Sequence, residues 1–168
     1  RALGELEDID KNIREALIDK KEDKIIHNIE APQKEIINLR THQERAIKAW
    51  ENNNFKAILK YCTGSGKTYI ALEAIKRMLE LNKKPIIIVP SLPLAFQWEK
   101  EIKKFIHADV LPCHSKSPPY KKYLKTFSRD DGQNQIILTT IHTAVTDTFK
   151  NYVESGDHIF LIVDECHT

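Results

Sequence analysis

The residues best suited to chemistry lie in two short stretches far apart in the chain. The first is Cys62-Thr63-Gly64-Ser65-Gly66-Lys67-Thr68. It follows the apolar run Ala57-Ile58-Leu59-Lys60-Tyr61 and precedes a helical pattern of Ile70, Leu72, Ala74, Ile75, Met78 and Leu79. Strand, glycine turn and helix together form the setting in which backbone N–H groups wrap a phosphate. Gly64 and Gly66 keep Cβ atoms out of the way, so the N–H groups of Thr63 to Gly66 are free to point inward. The helix start adds its unpaired N–H groups and the positive end of its dipole. On this reading Lys67 reaches the β- and γ-phosphates of ATP and the Thr68 hydroxyl holds Mg²⁺. The strict pattern has glycine where this chain has Tyr61.

The second stretch is Asp164-Glu165, directly after the apolar run Ile159-Phe160-Leu161-Ile162-Val163. Two acids at the end of a buried strand are costly unless something compensates them, and a magnesium nucleotide does so. Asp164 then holds the metal, directly or through water, and Glu165 orients and deprotonates the water that attacks the γ-phosphate. Glycine loop with lysine, and strand with acids, are the two halves of one nucleotide site.

The elements that must bring these halves together alternate along the chain. Thr41 and Glu44 form an S/T-x-x-E capping box that predicts a helix through Ala46, Ile47 and Trp50 to Asn52. Gln43, near its start, is placed to bond an adenine edge in two places. After the loop helix, Pro85 to Val89 is apolar on both faces, as strands of a covered parallel sheet are. Ser91 and Pro93 open a helix with Leu94, Trp98, Ile102 and Phe105 on its buried stripe. Ala108 to Cys113 and Gln135 to Thr140 are further strands, and a helix is expected from about His142 to Tyr152. The fold class expected is α/β, a parallel sheet with helices on both faces and ligands at the carboxyl ends of the strands. Leu3, Leu6, Ile9, Ile13 and Leu17 recur at helical spacing, so residues 1–35 read as a helical extension or linker and 36–168 as the nucleotide domain.

Composition agrees with one domain. The 168 residues carry 41% hydrophobic and 30% charged side chains, ordinary for a globular chain. No apolar run is long enough to span a bilayer, so no membrane partner is expected. Cys62, Cys113 and Cys166 are odd in number and share no metal-type spacing, which points to a reducing, cytoplasmic setting. The formal charge of +2 is unevenly spread. From Lys100 to Arg129 basic residues outnumber acids heavily, which suits a phosphate-rich partner and equally a solvated lysine face. Tyr120, Tyr123 and Phe127 interleave with these lysines, either to stack a base or as half-buried helix aromatics.

Taken together, these motifs resemble the first RecA-like domain of a superfamily 2 helicase or translocase, from about Leu39 to Thr168. Leu39, Arg40 and Gln43 are similar to the adenine-reading Q motif, and Thr63 to Thr68 to motif I, with Tyr61 and Cys62 as tolerated substitutes. Val89-Pro90-Ser91 through Gln97-Trp98 resembles motif Ia, and Thr139-Thr140-Ile141-His142 the threonine-containing motif that follows. Asp164-Glu165-Cys166-His167 resembles a DExH-type motif II. The resemblance implies that Ser91, Gln97, Thr139 and Thr140 touch a nucleic-acid backbone. It also implies that His167 couples ATP to a second RecA-like domain.

The Gln-Trp pair and the DECH spelling resemble the DNA motors of restriction enzymes and excision repair, which puts DNA ahead of RNA as partner and allows for nuclease or other domains alongside. An RNA helicase of the DExH class and a nucleotide-binding regulatory or scaffold module are the alternatives. The sequence opens on Arg1 and stops at Thr168, so it reads as a piece of a longer polypeptide, truncated after motif II. The family pattern then implies a vacant strand position between the loop strand and the acid strand, and little hydrolysis by the isolated piece.

Overall fold

A computed structural model of the chain describes residues 34–131 and 134–165. Its centre is a four-stranded, wholly parallel sheet in the order β2-β3-β1-β4. The strands are β1 (Lys84–Val89), β2 (Asp109–Cys113), β3 (Gln135–Thr140) and β4 (Ile159–Val163). Around them run α1 (Thr41–Asn52), α2 (Lys67–Glu80), α3 (Leu92–Phe105), α4 (Lys121–Ser128), α5 (Ile141–Ala144) and α6 (Asp147–Tyr152). This is the RecA-like α/β arrangement.

Alternation along the strands sends side chains to both faces. Ile87, Val89, Ile136 and Leu138 meet α2 and α3 through Leu72, Ile75, Trp98 and Ile102. Ile86, Leu111 and Ile137 meet α4 and α6 through Leu124 and Phe149. A parallel sheet covered on both sides needs such continuous apolar strands. All six apolar positions predicted for the loop helix, Ile70 to Leu79, are buried in α2. A third cluster joins α1 to α2 through Ile47, Trp50, Ile70, Ala74 and Met78. Arg77 of α2 adds a tie, reaching Glu51 of α1 at 2.5 Å and Glu73 at 2.8 Å.

Several expectations need correction. The cap of α1 is Arg40, not a Thr41–Glu44 box: the Arg40 N–H donates to Gln43 Oε1 at 2.7 Å, so Gln43 supplies the reciprocal bond. The helix expected from His142 to Tyr152 is two short ones. Thr146 interrupts it because its hydroxyl accepts the Phe149 N–H at 3.2 Å and starts α6 as an N-cap. The lysine- and tyrosine-rich segment contains α4, anchored by buried Leu124 and Ser128. The amphipathic stripe of Leu3 to Leu17 lies outside the described residues.

The largest correction concerns the two strands that flank the site. Ala57 to Tyr61 is not a strand, and Ile58 is 77% exposed. β4 is not buried: Leu161 and Val163 are 55% and 46% exposed. The cause is common to both. β4 bonds β1 on one side, and among the described residues no strand pairs with its other edge. An extended segment without a ladder partner gains no sheet hydrogen bonds. Between β4 and the segment before the glycine loop lies a cleft of about 600 Å³, the gap expected between loop strand and acid strand.

Candidate nucleotide site

The glycine loop joins the unpaired segment to α2. Gly64 and Gly66 both sit in the left-handed region, at φ +80° and +82°. This conformation turns the chain back and is strained for any residue with a Cβ. Among the described residues no acceptor meets the N–H groups of Gly64, Gly66, Lys67 or Thr68. Space beside the Gly64 Cα is open to 4 Å, and the buried Ser65 Oγ has no hydrogen-bond partner among the described residues. Unspent donors at a helix start, next to open space, fit a phosphate. The Lys67 ammonium folds onto the loop, donating to the carbonyls of Tyr61 at 3.0 Å and Cys62 at 3.3 Å.

Behind the loop stands Gln43, 3% exposed. Its Nε2 donates to the carbonyls of Ser65 at 3.3 Å and Gly66 at 3.2 Å, while its Oε1 is taken by Arg40 N–H. Without a nucleotide the Gln43 amide braces the loop rather than meeting an adenine edge. His42, which sequence reasoning passed over, joins it. Its Nε2 lies 3.2 Å from the Ser65 carbonyl, and its ring packs edge-on against Tyr61 at 5.9 Å. The side chain at the position of the expected glycine, Tyr61, thus has a packing partner. Arg40 is exposed, and its backbone bonds Gln43 and Glu44 at the start of α1.

The acids arrive from β4. Asp164 N–H donates to the Ile88 carbonyl at 3.0 Å and extends the β1 ladder by one bond. Its Oδ2 accepts the indole N–H of Trp98 at 2.8 Å, and its Oδ1 accepts the Glu165 N–H at 3.0 Å. Glu165 is exposed and stands at φ +52°, rare for a residue with a Cβ. Trp98 is the second residue missed as part of the site. The sequence marked it only as a core position and half of a Gln-Trp pair, and a buried indole's need for an acceptor was the available signal. Lys67, Thr68, Asp164 and Glu165 all line the same cleft, with Trp98 in its wall.

Residues expected at a nucleic-acid backbone divide sharply. Gln97 is exposed on α3 and Ser91, its N-cap, is half-buried. Thr139 is fully buried and its hydroxyl donates to the Cys113 carbonyl at 2.9 Å, so its side chain packs within the sheet. Thr140 is 6% exposed and donates to the Thr143 hydroxyl at 3.2 Å. His167 lies outside the described residues.

No group of three or more His, Cys, Asp or Glu gathers among the described residues as a metal cage. Cys113 behaves as a core side chain, with burial pushing its thiol up to about 12. A Mg²⁺ ion held by Thr68, Asp164 and phosphate oxygens needs no such cage.

Residues 36–168 match the family described as Type III restriction enzyme, res subunit. The chain is also similar to the DNA 3'-5' translocase XPB2 of Sulfurisphaera tokodaii, 31% identical over 103 residues. That match covers 59% of this chain and 23% of the relative, so the chain spans under a quarter of that protein's length.

Proposed function

This chain belongs to the family of the Type III restriction enzyme res subunit and carries the first RecA-like domain of a superfamily 2 helicase or translocase, and from that premise we propose that it is the ATP-binding part of a DNA-driven motor. The observation that carries the reading is that Lys67 and Thr68 share one cleft with Asp164 and Glu165.

Lys67 leaves the Tyr61 and Cys62 carbonyls to meet the β- and γ-phosphates, while the loop N–H groups hold the remaining oxygens. Thr68 and Asp164 would hold a magnesium ion, which would neutralise charge developing on the phosphates. Glu165 takes the proton of the attacking water. Ser91 and Gln97 on α3 meet a DNA backbone, and a second RecA-like domain in the longer protein closes over the nucleotide. The similarity to the DNA 3'-5' translocase of Sulfurisphaera tokodaii favours DNA over RNA as the track. A restriction or repair motor is the setting we favour.

The test is the ATPase rate of the full-length protein alone, with single- and double-stranded DNA, and with RNA. Stimulation by DNA supports the motor on DNA. Stimulation by RNA alone overturns the choice of track, and stimulation by neither favours a nucleotide-binding regulatory module. Lys67→Ala should abolish nucleotide binding in the same protein. Glu165→Gln should retain binding and stop hydrolysis, and an active variant removes Glu165 from the role of base.

A further inference from the structure

The bond between Trp98 and Asp164 joins two parts of the molecule that the proposed function keeps separate. Trp98 lies on α3, one residue from exposed Gln97 and within the helix that Ser91 caps. Asp164 lies on the far edge of the sheet, at the end of β4. The indole N–H crosses from one to the other at 2.8 Å.

Three features make this more than a surface contact. Trp98 is 3% exposed and packs in the cluster that includes Ala95, Ile102 and Val89, so the ring is fixed to the body of α3. A buried indole has one N–H and needs one acceptor; here the acceptor is a carboxylate, which makes the bond charge-assisted. The Asp164 backbone is already tied to Ile88 of β1, leaving the side chain as the part still to be aimed. With Oδ2 on the indole and Oδ1 on the Glu165 N–H, the carboxylate plane is set by its donors. Each oxygen keeps a lone pair for another partner.

We propose that Trp98 is a positioning residue that aims the Asp164 carboxylate and carries displacements of α3, when DNA presses on it, to the metal side of the nucleotide site. This rests on the reading that Asp164 holds the magnesium of a bound nucleotide. Because the ring is packed and the bond short, a movement of α3 of a few tenths of an ångström carries the carboxylate with it or breaks the bond. Either outcome changes how well the magnesium is held.

The test uses full-length protein in two arms. Without nucleotide, the indole ¹⁵N–¹H resonance of Trp98, assigned by its loss in Trp98→Phe, should shift in both Asp164→Ala and Asp164→Asn, while that of Trp50 stays in place. A Trp98 resonance indifferent to both changes overturns the bond. In the second arm, Trp98→Phe should raise the magnesium concentration for half-maximal ATPase by about tenfold and cut the ratio of DNA-stimulated to basal rate by a similar factor. DNA affinity without nucleotide should not change. Unaltered magnesium requirement and stimulation overturn the positioning role. Should Trp98→Phe fail to fold, benzothienylalanine at position 98 keeps the ring shape and lacks the N–H, and the same two outcomes apply. If wild-type protein binds no magnesium nucleotide at all, the proposed function falls, and the first arm still decides whether the bond exists.

Discussion

The two walls of the cleft are built on different principles. The loop wall is braced from behind: Gln43 and His42 hold the Ser65 and Gly66 carbonyls, and Lys67 caps two more. The unbonded N–H groups of that loop are thereby held in place. Among the described residues, the acid wall lies on a strand paired on one side, with the Trp98 indole bond on Asp164 and Glu165 at positive φ. A phosphate cradle works best when rigid, because its donors then need no reorganisation. Acids that must respond to a second ligand belong on the less supported side, where local rearrangement costs least. The contrast teaches that one cleft can combine a braced wall with a less supported one.

The largest effect that breaks this comparison comes from leaving the acid wall without help. Residues 1–168 alone should bind nucleotide weakly, through the loop wall, and turn it over far more slowly than the full-length protein. A charge-stabilising arginine from a second domain is worth about 10³–10⁵ in rate. Single-turnover and steady-state ATPase measurements on both proteins check this. Vigorous hydrolysis by the short chain contradicts it and assigns the acid wall full competence on its own.

A smaller effect sharpens the loop side. Gly64 and Gly66 share nearly the same φ, so alanine at either introduces similar backbone strain, about 1–2 kcal/mol. They differ in what stands behind them: a Cβ at Gly64 meets open space, whereas one at Gly66 runs into Gln43 Nε2. Gly66→Ala should therefore lower the thermal midpoint and nucleotide affinity more than Gly64→Ala does. Adding Gln43→Ala to each should erase the difference, leaving the shared strain, as a double-mutant cycle would read it. If the gap between the two glycines survives loss of Gln43, the brace is not what separates them.

The sequence made the buried halves of the fold legible and left the edges unread. The strands at Pro85–Val89 and Gln135–Thr140 and the stripe of α2 were readable because burial on both faces, or on one helical face, writes a clear pattern. Ala57–Tyr61 and Ile159–Val163 carry the same apolar pattern. Ile159–Val163 is the expected strand but more exposed, and Ala57–Tyr61 forms none, because a pattern records what a strand can bury, not whether a neighbour pairs with it. The site behaved likewise. Lys67, Thr68, Asp164 and Glu165 stood out by type and order, and they do share a cleft. The loop brace of Gln43 and His42, the sheet bond of Thr139 and the carboxylate bond of Trp98 were not read because they depend on which carbonyl or carboxylate lies within about 3 Å. Spacing along the chain does not encode that for residues brought together by the fold.

The smallest effect lies at the same sheet end, just past β2, and tests whether rigidity there extends beyond the loop. His114 is 4% exposed, packs edge-on against Phe96 at 5.4 Å, and buries Nδ1 without a partner among the described residues. Burial lowers its pKa below the ordinary 6.5, and the charge of Glu99 opposes this only in part. Between the lowered folded value and 6.5 the unfolded chain binds the extra proton and the folded one does not. Stability contributed by neutral His114 is thus fully present above 6.5 and falls as the pH drops through that window. Denaturant midpoints of the wild type and His114→Asn, taken across that range, should diverge on acidification, the wild type losing more. A constant difference between them means that the His114 side chain reaches water when it charges, and that this end of the sheet yields as readily as the acid wall.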